Sequence, residues 1–190
     1  MEFKVKEELR RLMIKKRNSM DLNKKAEWDN KITSQLIESS FYKNAKIIFT
    51  YVSFGSEVDT HYFIKYALND KKVLCVPKII SKNGIMKAFR INSLGDLKAG
   101  SFGIPEPEDC SIEITPSKMD LILMPGLVFD RGGGRVGYGA GFYDRFLYGA
   151  GKKASKVALA YDFQLLNKIP SDKFDIKADA IITNKEIIIL

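Results

Sequence analysis

The sequence predicts an α/β fold, a three-layer sandwich with a largely parallel central sheet, in a single domain over residues 1–190. Two observations carry this. Apolar runs of strand length alternate with helical or loop segments from residue 46 onward, and several of them, IIFTYV, KVLCVP, MDLILMP and KVALAY, are apolar on both faces. A strand without a polar face needs cover on both sides, the pattern of parallel strands flanked by helices. Size sets the domain count: 190 residues, 45% of them apolar, bury roughly 70% of the surface the unfolded chain exposes, enough for one large core.

Residues 2 to 18 read as a helix, because Val5, Leu9, Leu12 and Met13 recur at helical spacing without Gly or Pro. A second helix follows Asp21, a cap residue, and carries Trp28, Ile32, Leu36 and Ile37 as one apolar stripe. Strands are expected at Lys46 to Phe54, Val73 to Ile80, Met86 to Ile91, Met119 to Met124, Lys156 to Tyr161 and Ala180 to Ile182, with a short helix at Phe142 to Leu147. Residues 92 to 118, with Gly95, Gly100, Gly103, Pro105, Pro107 and Pro116, read as an irregular surface excursion. In open α/β sheets ligands collect where loops leave the carboxyl ends of strands. That nominates Gly55 to Thr60, Pro77 to Lys78, and Pro125 to Asp144.

The 31 Lys and Arg against 23 Asp and Glu give a net charge of +8, which favours anionic partners such as nucleotides or phosphorylated metabolites. Half of the excess lies in residues 1–31, where ten bases face six acids. This segment is either a solvated helical face or part of an anion site. The longest apolar run, Leu121 to Phe129, is interrupted by Pro125 and Gly126, whereas a spanning helix needs ~20 apolar residues, so no membrane partner is expected. The first twenty residues carry Glu2, Glu7 and Glu8 and no signal-like apolar stretch, and a cytoplasmic protein is expected. Cys75 reads as a core residue, Cys110 as a loop thiol, and His61, the single histidine, as structural at a helix start.

Six of the fourteen glycines fall within ten residues, Gly132, Gly133, Gly134, Gly137, Gly139 and Gly141. One reading is an anion cradle, in which backbone N–H groups and the start of the next helix face a phosphate and Arg135 adds a bidentate contact. The other is a flexible lid or tight structural turn. The spacing spells neither the dinucleotide fingerprint nor a Walker loop.

This segment resembles the 5-formyltetrahydrofolate cyclo-ligase family, whose signature is a Pro-Gly pair, then FDxxGxR, then LGxGxGYYDR. The chain reads Pro125-Gly126, then Phe129-Asp130-Arg131-Gly132-Gly133-Gly134-Arg135, then Val136-Gly137-Tyr138-Gly139-Ala140-Gly141-Phe142-Tyr143-Asp144-Arg145. Lys6-Glu7-Glu8-Leu9-Arg10 resembles the family's KxxLR, Glu57-Val58-Asp59-Thr60 its ExxT segment, and Phe102 to Pro107 its FGIxEP loop. Val136 stands for the usual Leu and Phe142 for a frequent Tyr; neither departure removes a charge.

The resemblance implies a fold similar to the sugar-phosphate isomerase/CoA-transferase-like fold. It also implies an ATP- and Mg²⁺-dependent cyclisation of 5-formyltetrahydrofolate to 5,10-methenyltetrahydrofolate, with release of ADP and phosphate. Carried over by position, Lys6, Glu7, Glu8, Leu9 and Arg10, with Arg135, Val136, Gly137, Tyr138, Gly139, Ala140, Gly141, Phe142 and Tyr143, are expected ATP contacts. Val52, Glu57 and Tyr138 to Phe142 are expected folate contacts, Arg135 and Glu57 the catalytic residues, and Asp144 with Asp179 the shared Mg²⁺ carboxylates. Lys78 is a further candidate phosphate ligand. The substrate is expected to be a folate, polyglutamylated or not, the chain a monomer, and nucleic acid no partner.

Two other readings stay open. A phosphosugar isomerase or acyl-CoA-handling enzyme would use the glycine loop without ATP. An RNA-binding protein is suggested by the charge and eight tyrosines, but the aromatics sit inside apolar runs rather than among surface bases.

Overall fold

The computed structural model of the chain describes residues 2–81, 84–149, 153–172 and 174–190. It opens with helices α1 (Glu2–Asn18), α2 (Leu22–Glu38) and α3 (Ser40–Lys43), followed by strand β1 (Ile47–Phe49), helix α4 (His61–Asn69) and the hairpin of β2 (Val73–Ser81) and β3 (Ile85–Ile91). Short strands β4 (Leu97–Ala99) and β5 (Pro105–Pro107) pair within the excursion. Then come β6 (Leu121–Met124), β7 (Val128–Asp130), β8 (Arg135–Val136), helix α5 (Phe142–Tyr148), β9 (Ser155–Ala160), β10 (Leu165–Leu166), β11 (Ala180–Thr183) and β12 (Ile187–Ile189).

The main sheet has the order β12-β11-β9-β6-β1-β2-β3. Its five inner strands run parallel, and the antiparallel β12 and β3 close its edges. Successive inner-strand residues alternate between two cores, as strand geometry requires. Ile48, Leu121, Leu123, Val157 and Leu159 pack with Ile32 and Leu36 of α2 and Phe63 and Ile64 of α4. Phe49, Ile122, Met124 and Ala158 pack with Phe146 and Leu147 of α5 on the other side. The expected sandwich and its parallel sheet are therefore what the chain forms. Asp21 caps α2 as expected, its Oδ1 accepting from Lys24 N at 3.0 Å.

Two expectations are corrected. β1 stops at Phe49 instead of Phe54, because after the Thr50 N–H bonds Cys75 O the backbone turns into side-chain contacts described below. β2 runs on to Ser81, so Pro77 and Lys78 are strand residues and not a loop. Only Val73 to Cys75 pair with β1; beyond them no strand pairs with that edge among the described residues, and Ile79 N donates to Glu106 Oε1 at 3.2 Å, a setting that tolerates a proline without an N–H.

The connections set the site. From β1 the chain crosses by α4 to β2 on one side; from β6 it crosses by α5 to β9 on the other. The adjacent strands β1 and β6 thus form the switch point, and their outgoing loops part to leave a crevice. A small sheet, β10-β7-β8, continues from β6, and α1 lies on it through Leu9 and Met13 against Leu127, Val128, Val136 and Ile169. Val5 and Leu12, expected as part of the apolar stripe, are exposed. The inward face of α1 instead alternates cations with apolar residues: Lys6, Leu9, Arg10, Met13 and Arg17. Among the described residues no helix is long and apolar enough to cross a membrane.

Candidate active site

A cavity of about 1030 Å³ opens in this crevice. One wall is the loop after β1. Thr60 folds it: its Oγ1 donates to Tyr51 O and accepts from Ser53 N, while its own N–H donates to Ser53 Oγ. The fold-back turns Glu57 inward, where it is 4% exposed and its Oε2 accepts from Phe54 N at 3.2 Å. Asp59, beside it, accepts from the His61 ring at 2.8 Å, so His61 does hold the start of α4. Burial pushes the Glu57 carboxyl above its ordinary range, and hydrogen bonds from Tyr138 and Phe54 N hold it part of the way down.

The opposite wall is the glycine-rich segment, which divides into two parts of different purpose. Gly132 and Gly134 donate their N–H groups to Asp130 Oδ1 at 2.9 and 2.8 Å, and Ile169 N donates to Oδ2. Gly133 has φ +82, and a Cβ there would meet Ala178 O at 2.7 Å. This half is a tight structural turn around a buried aspartate. Gly137, Tyr138, Gly139, Ala140 and Gly141 line the cavity. The tyrosine hydroxyl donates to Glu57 Oε1 at 2.7 Å and ties the two walls together.

The cations converge on this second half. Arg135 is 7% exposed; its Nη2 pairs with Asp144 Oδ1 at 2.7 Å, its guanidinium lies 5.8 Å from the Tyr143 ring centroid, and its buried Nε has no partner among the described residues. Arg10 donates through Nε to Gly137 O at 2.8 Å, and Lys6 pairs with Asp175 at 2.7 Å. All three line the cavity, as do Val52, Val136, Phe142, Tyr143 and Asp144.

Other expected residues lie elsewhere. Glu7 faces a separate outer groove along α1, Glu8 is exposed, and Leu9 is spent on the core under the helix, because consecutive helical positions cannot share a face. Lys78 points away from the cavity that its neighbours Pro77 and Ile79 line, and bonds Pro107 O at 2.9 Å and Cys110 Sγ at 3.0 Å instead. Asp179 precedes β11 at the edge where the parallel strands begin, whereas the cavity lies where they end; its Oδ2 accepts from Lys156 N and Nζ, both at 2.8 Å. The shared-metal pairing of Asp144 and Asp179 is not formed. Cys75 is buried and its thiol is pushed up to about 12 by desolvation, which leaves it unreactive. The side chain of Phe102 lies outside the described residues.

Sequence reading missed Arg17, 5% exposed, which donates to Tyr138 OH at 2.8 Å. The signal was present: Lys6, Arg10 and Arg17 repeat at helical spacing with Met13. Asp175 and Asp172 of the loop before β11 and the apolar wall of Pro77, Ile79 and Met86 carried no comparable pattern.

The sequence matches the model of the 5-formyltetrahydrofolate cyclo-ligase family over residues 2–184. The chain belongs to that family. Among similar proteins, the mitochondrial 5-formyltetrahydrofolate cyclo-ligase of Arabidopsis thaliana is 31% identical over 98% of this chain and 76% of its own length. The cyclo-ligase of Mycoplasma genitalium is 28% identical over 94% and 98%. The NMR structure of the Aquifex aeolicus 5,10-methenyltetrahydrofolate synthetase superposes with a TM-score of 0.87 at 32% identity, covering 97% of this chain and 92% of that one. These agree with the cyclo-ligase resemblance read from Phe129 to Arg145, and make the chain an enzyme of the cyclo-ligase family.

Proposed function

We propose that the protein cyclises 5-formyltetrahydrofolate to 5,10-methenyltetrahydrofolate at the expense of ATP, releasing ADP and phosphate. The observation that carries this is the division of one cavity at the β1/β6 switch point: Arg135, Arg10 and Lys6 against the glycine rim, and a buried carboxylate, Glu57, across from them. A formamide oxygen is a poor leaving group. Transfer of the γ-phosphoryl to that oxygen makes it a good one, after which N10 attacks the formyl carbon, loses its proton, and phosphate departs.

Phosphoryl transfer asks for positioning and charge neutralisation more than for a covalent nucleophile. The planar guanidinium of Arg135, with its unpartnered Nε, suits phosphate oxygens, and the backbone of Gly137 to Gly141 lets a polyphosphate come close. Glu57, Val52 and the Tyr138 ring suit the pterin, whose N–H donors match a carboxylate acceptor. Apolar Ile79 and Met86 give the flat ring system a dry surface.

Mg²⁺ is held elsewhere by one or two carboxylates plus substrate phosphates. Asp144 fits that demand: both its bonds among the described residues, from Arg135 Nη2 and Ile176 N, fall on Oδ1, which leaves Oδ2 for the ion. When bound, Mg²⁺ would neutralise phosphate charge beside Arg135. Cytoplasmic location and a monomeric state belong to the same reading; both cysteines are free, as a reducing compartment favours. The test is product formation from 5-formyltetrahydrofolate with ATP and Mg²⁺ supplied together and singly. An isomerase or acyl-CoA reading predicts no dependence on ATP.

A further inference from the structure

We infer that Arg17, which does not line the cavity, is a positioning residue that directs the Tyr138 proton onto Glu57. The inference rests on the proposed role of Glu57 as a folate contact and concerns how that carboxylate is held. Arg17 leaves the inner face of α1 and donates through Nη2 to Tyr138 OH at 2.8 Å and through Nη1 to Gly126 O at 3.4 Å. Tyr138 OH then stands 2.7 Å from Glu57 Oε1. Arginine has no acceptor atom and a phenol has one proton. With Arg17 donating, the phenol oxygen must accept on that side, so its proton has one remaining partner, Glu57.

The polarity of the chain is thereby fixed, from Arg17 to Tyr138 to Glu57, and its last link needs Glu57 as an acceptor, that is, as a carboxylate. Without Arg17 the hydroxyl can turn and accept from a protonated Glu57 equally well. The location of Arg17 argues for such a task. It is 5% exposed, its Nε has no partner among the described residues, and a buried guanidinium with an unsatisfied N–H is a poor way to pack a helix that Leu9 and Met13 already anchor. The groups facing Glu57 are Arg17 from α1, Lys25 and Asp29 from α2, Tyr51 after β1, Tyr138, Tyr143 of α5, and Tyr161, whose hydroxyl lies 3.4 Å from Glu57 O and donates to Asp29 Oδ1 at 2.7 Å. Lys25 is itself paired with Asp29 at 2.6 Å. Arg17 is therefore the cation whose charge reaches Glu57 through a hydrogen-bonded hydroxyl.

The test combines three variants, Arg17→Met, Arg17→Lys and Tyr138→Phe, with the Arg17→Met/Tyr138→Phe double variant. The readouts are the pH profile of kcat/KM for 5-formyltetrahydrofolate, KM for ATP, and the Glu57 carboxyl titration by ¹³C NMR in the ligand-free protein. Arg17→Met and Tyr138→Phe should each move the Glu57 titration and the acid limb of the profile to higher pH by about one unit, since each removes a donor that favours the charged form. The double variant should be no worse than Tyr138→Phe alone, because the effect passes through one hydroxyl. Arg17→Lys, which still donates, should restore most of the shift, and in the two Arg17 single variants KM for ATP should stay within about twofold.

A purely structural Arg17 would lower the melting temperature, leave both titrations in place, and add to Tyr138→Phe; that result overturns the inference. If Arg17→Met does not fold, an unmoved Glu57 titration in Tyr138→Phe overturns it equally. The NMR titration needs no turnover, so a wild-type protein that titrates as described but forms no methenyl product would sink the proposed reaction and not this assignment.

Discussion

Arg135 Nη2 meets Asp144 Oδ1 at 2.7 Å across nine residues of sequence, joining β8 to α5 at the cavity wall. The arginine end is almost sealed while the aspartate side chain is 27% exposed; with Nη1 donating to Pro125 O at 3.4 Å, the pair fixes the plane of a guanidinium at the cavity wall.

Arg135→Lys should therefore weaken ATP use while leaving the fold intact. Lysine supplies a point charge but cannot hold Asp144 and a phosphate oxygen in one plane. A loss of ~1 to 3 kcal/mol, the range for hydrogen bonds to charged groups, is expected in kcat/KM for ATP. Unchanged kinetics would assign the residue to packing alone.

Asp144 and Asp179 should separate in their metal dependence. Asp144→Asn should raise the Mg²⁺ concentration needed for half-maximal rate. Asp179→Asn should leave it unaltered and cost at most about 1 kcal/mol of stability, because its partner is a half-exposed ion pair with Lys156. Titrations of rate against Mg²⁺ for the two variants decide this.

Glu57→Gln should lower kcat/KM for the folate by about tenfold or more, the worth of a charge-assisted bond, with a much smaller change in KM for ATP. Its effect on stability combines two opposed contributions. Burial raises the Glu57 pKa, and an acid so raised contributes stability that is lost as pH climbs through its folded value. The amide escapes that penalty but offers one acceptor for two donors, Tyr138 OH and Phe54 N, so at neutral pH the variant should lose less than the ~1 to 3 kcal/mol that an unsatisfied buried donor alone would cost.

Asp59 gives the converse pH signature. The His61 hydrogen bond lowers its carboxyl from 3.8 to about 2. A depressed acid contributes stability that is present above the unfolded value and lost as pH falls through the folded one. Asp59→Asn should cost about 1 kcal/mol at pH 6, discounted for the half-exposed site, and the gap to wild type should close as denaturation is repeated from about pH 4 down to pH 2. A gap independent of pH would point to lost packing.

The two halves of the glycine segment should respond differently to a methyl group. Gly133→Ala, at φ +82 and with a Cβ 2.7 Å from Ala178 O, should destabilise the fold by ~1 to 3 kcal/mol and leave the ATP and folate KM values close to wild type. Gly139→Ala, at φ +105 with Arg10 as its neighbour, should instead alter KM for ATP.

Residues that satisfy one demand were legible in the sequence, and those that satisfy two were not. The doubly apolar runs around Ile48 and Phe49 or Leu121 to Met124 announced a covered sheet, because nothing but core can use them. The glycines did not reveal that half of them wrap Asp130, since composition records conformational freedom and not its purpose. Arg17 was hidden in a basic helix whose charges are mostly solvated. Asp179 misled because an aspartate before a strand reads alike at either edge of a sheet, and only the strand pairing places it at the starting edge. Lys78 misled because a proline beside it reads as the start of a loop, whereas both residues lie inside β2.

The central claim is that one cavity couples ATP cleavage to ring closure on a formylated folate. It is tested most directly by following methenyl product and ADP together in one reaction of wild-type protein, with 5-formyltetrahydrofolate, ATP and Mg²⁺ each omitted in turn. The account predicts one ADP formed per methenyl product and neither without the full set. Methenyl product in the absence of ATP, or ADP released without the folate at an equal rate, would contradict it.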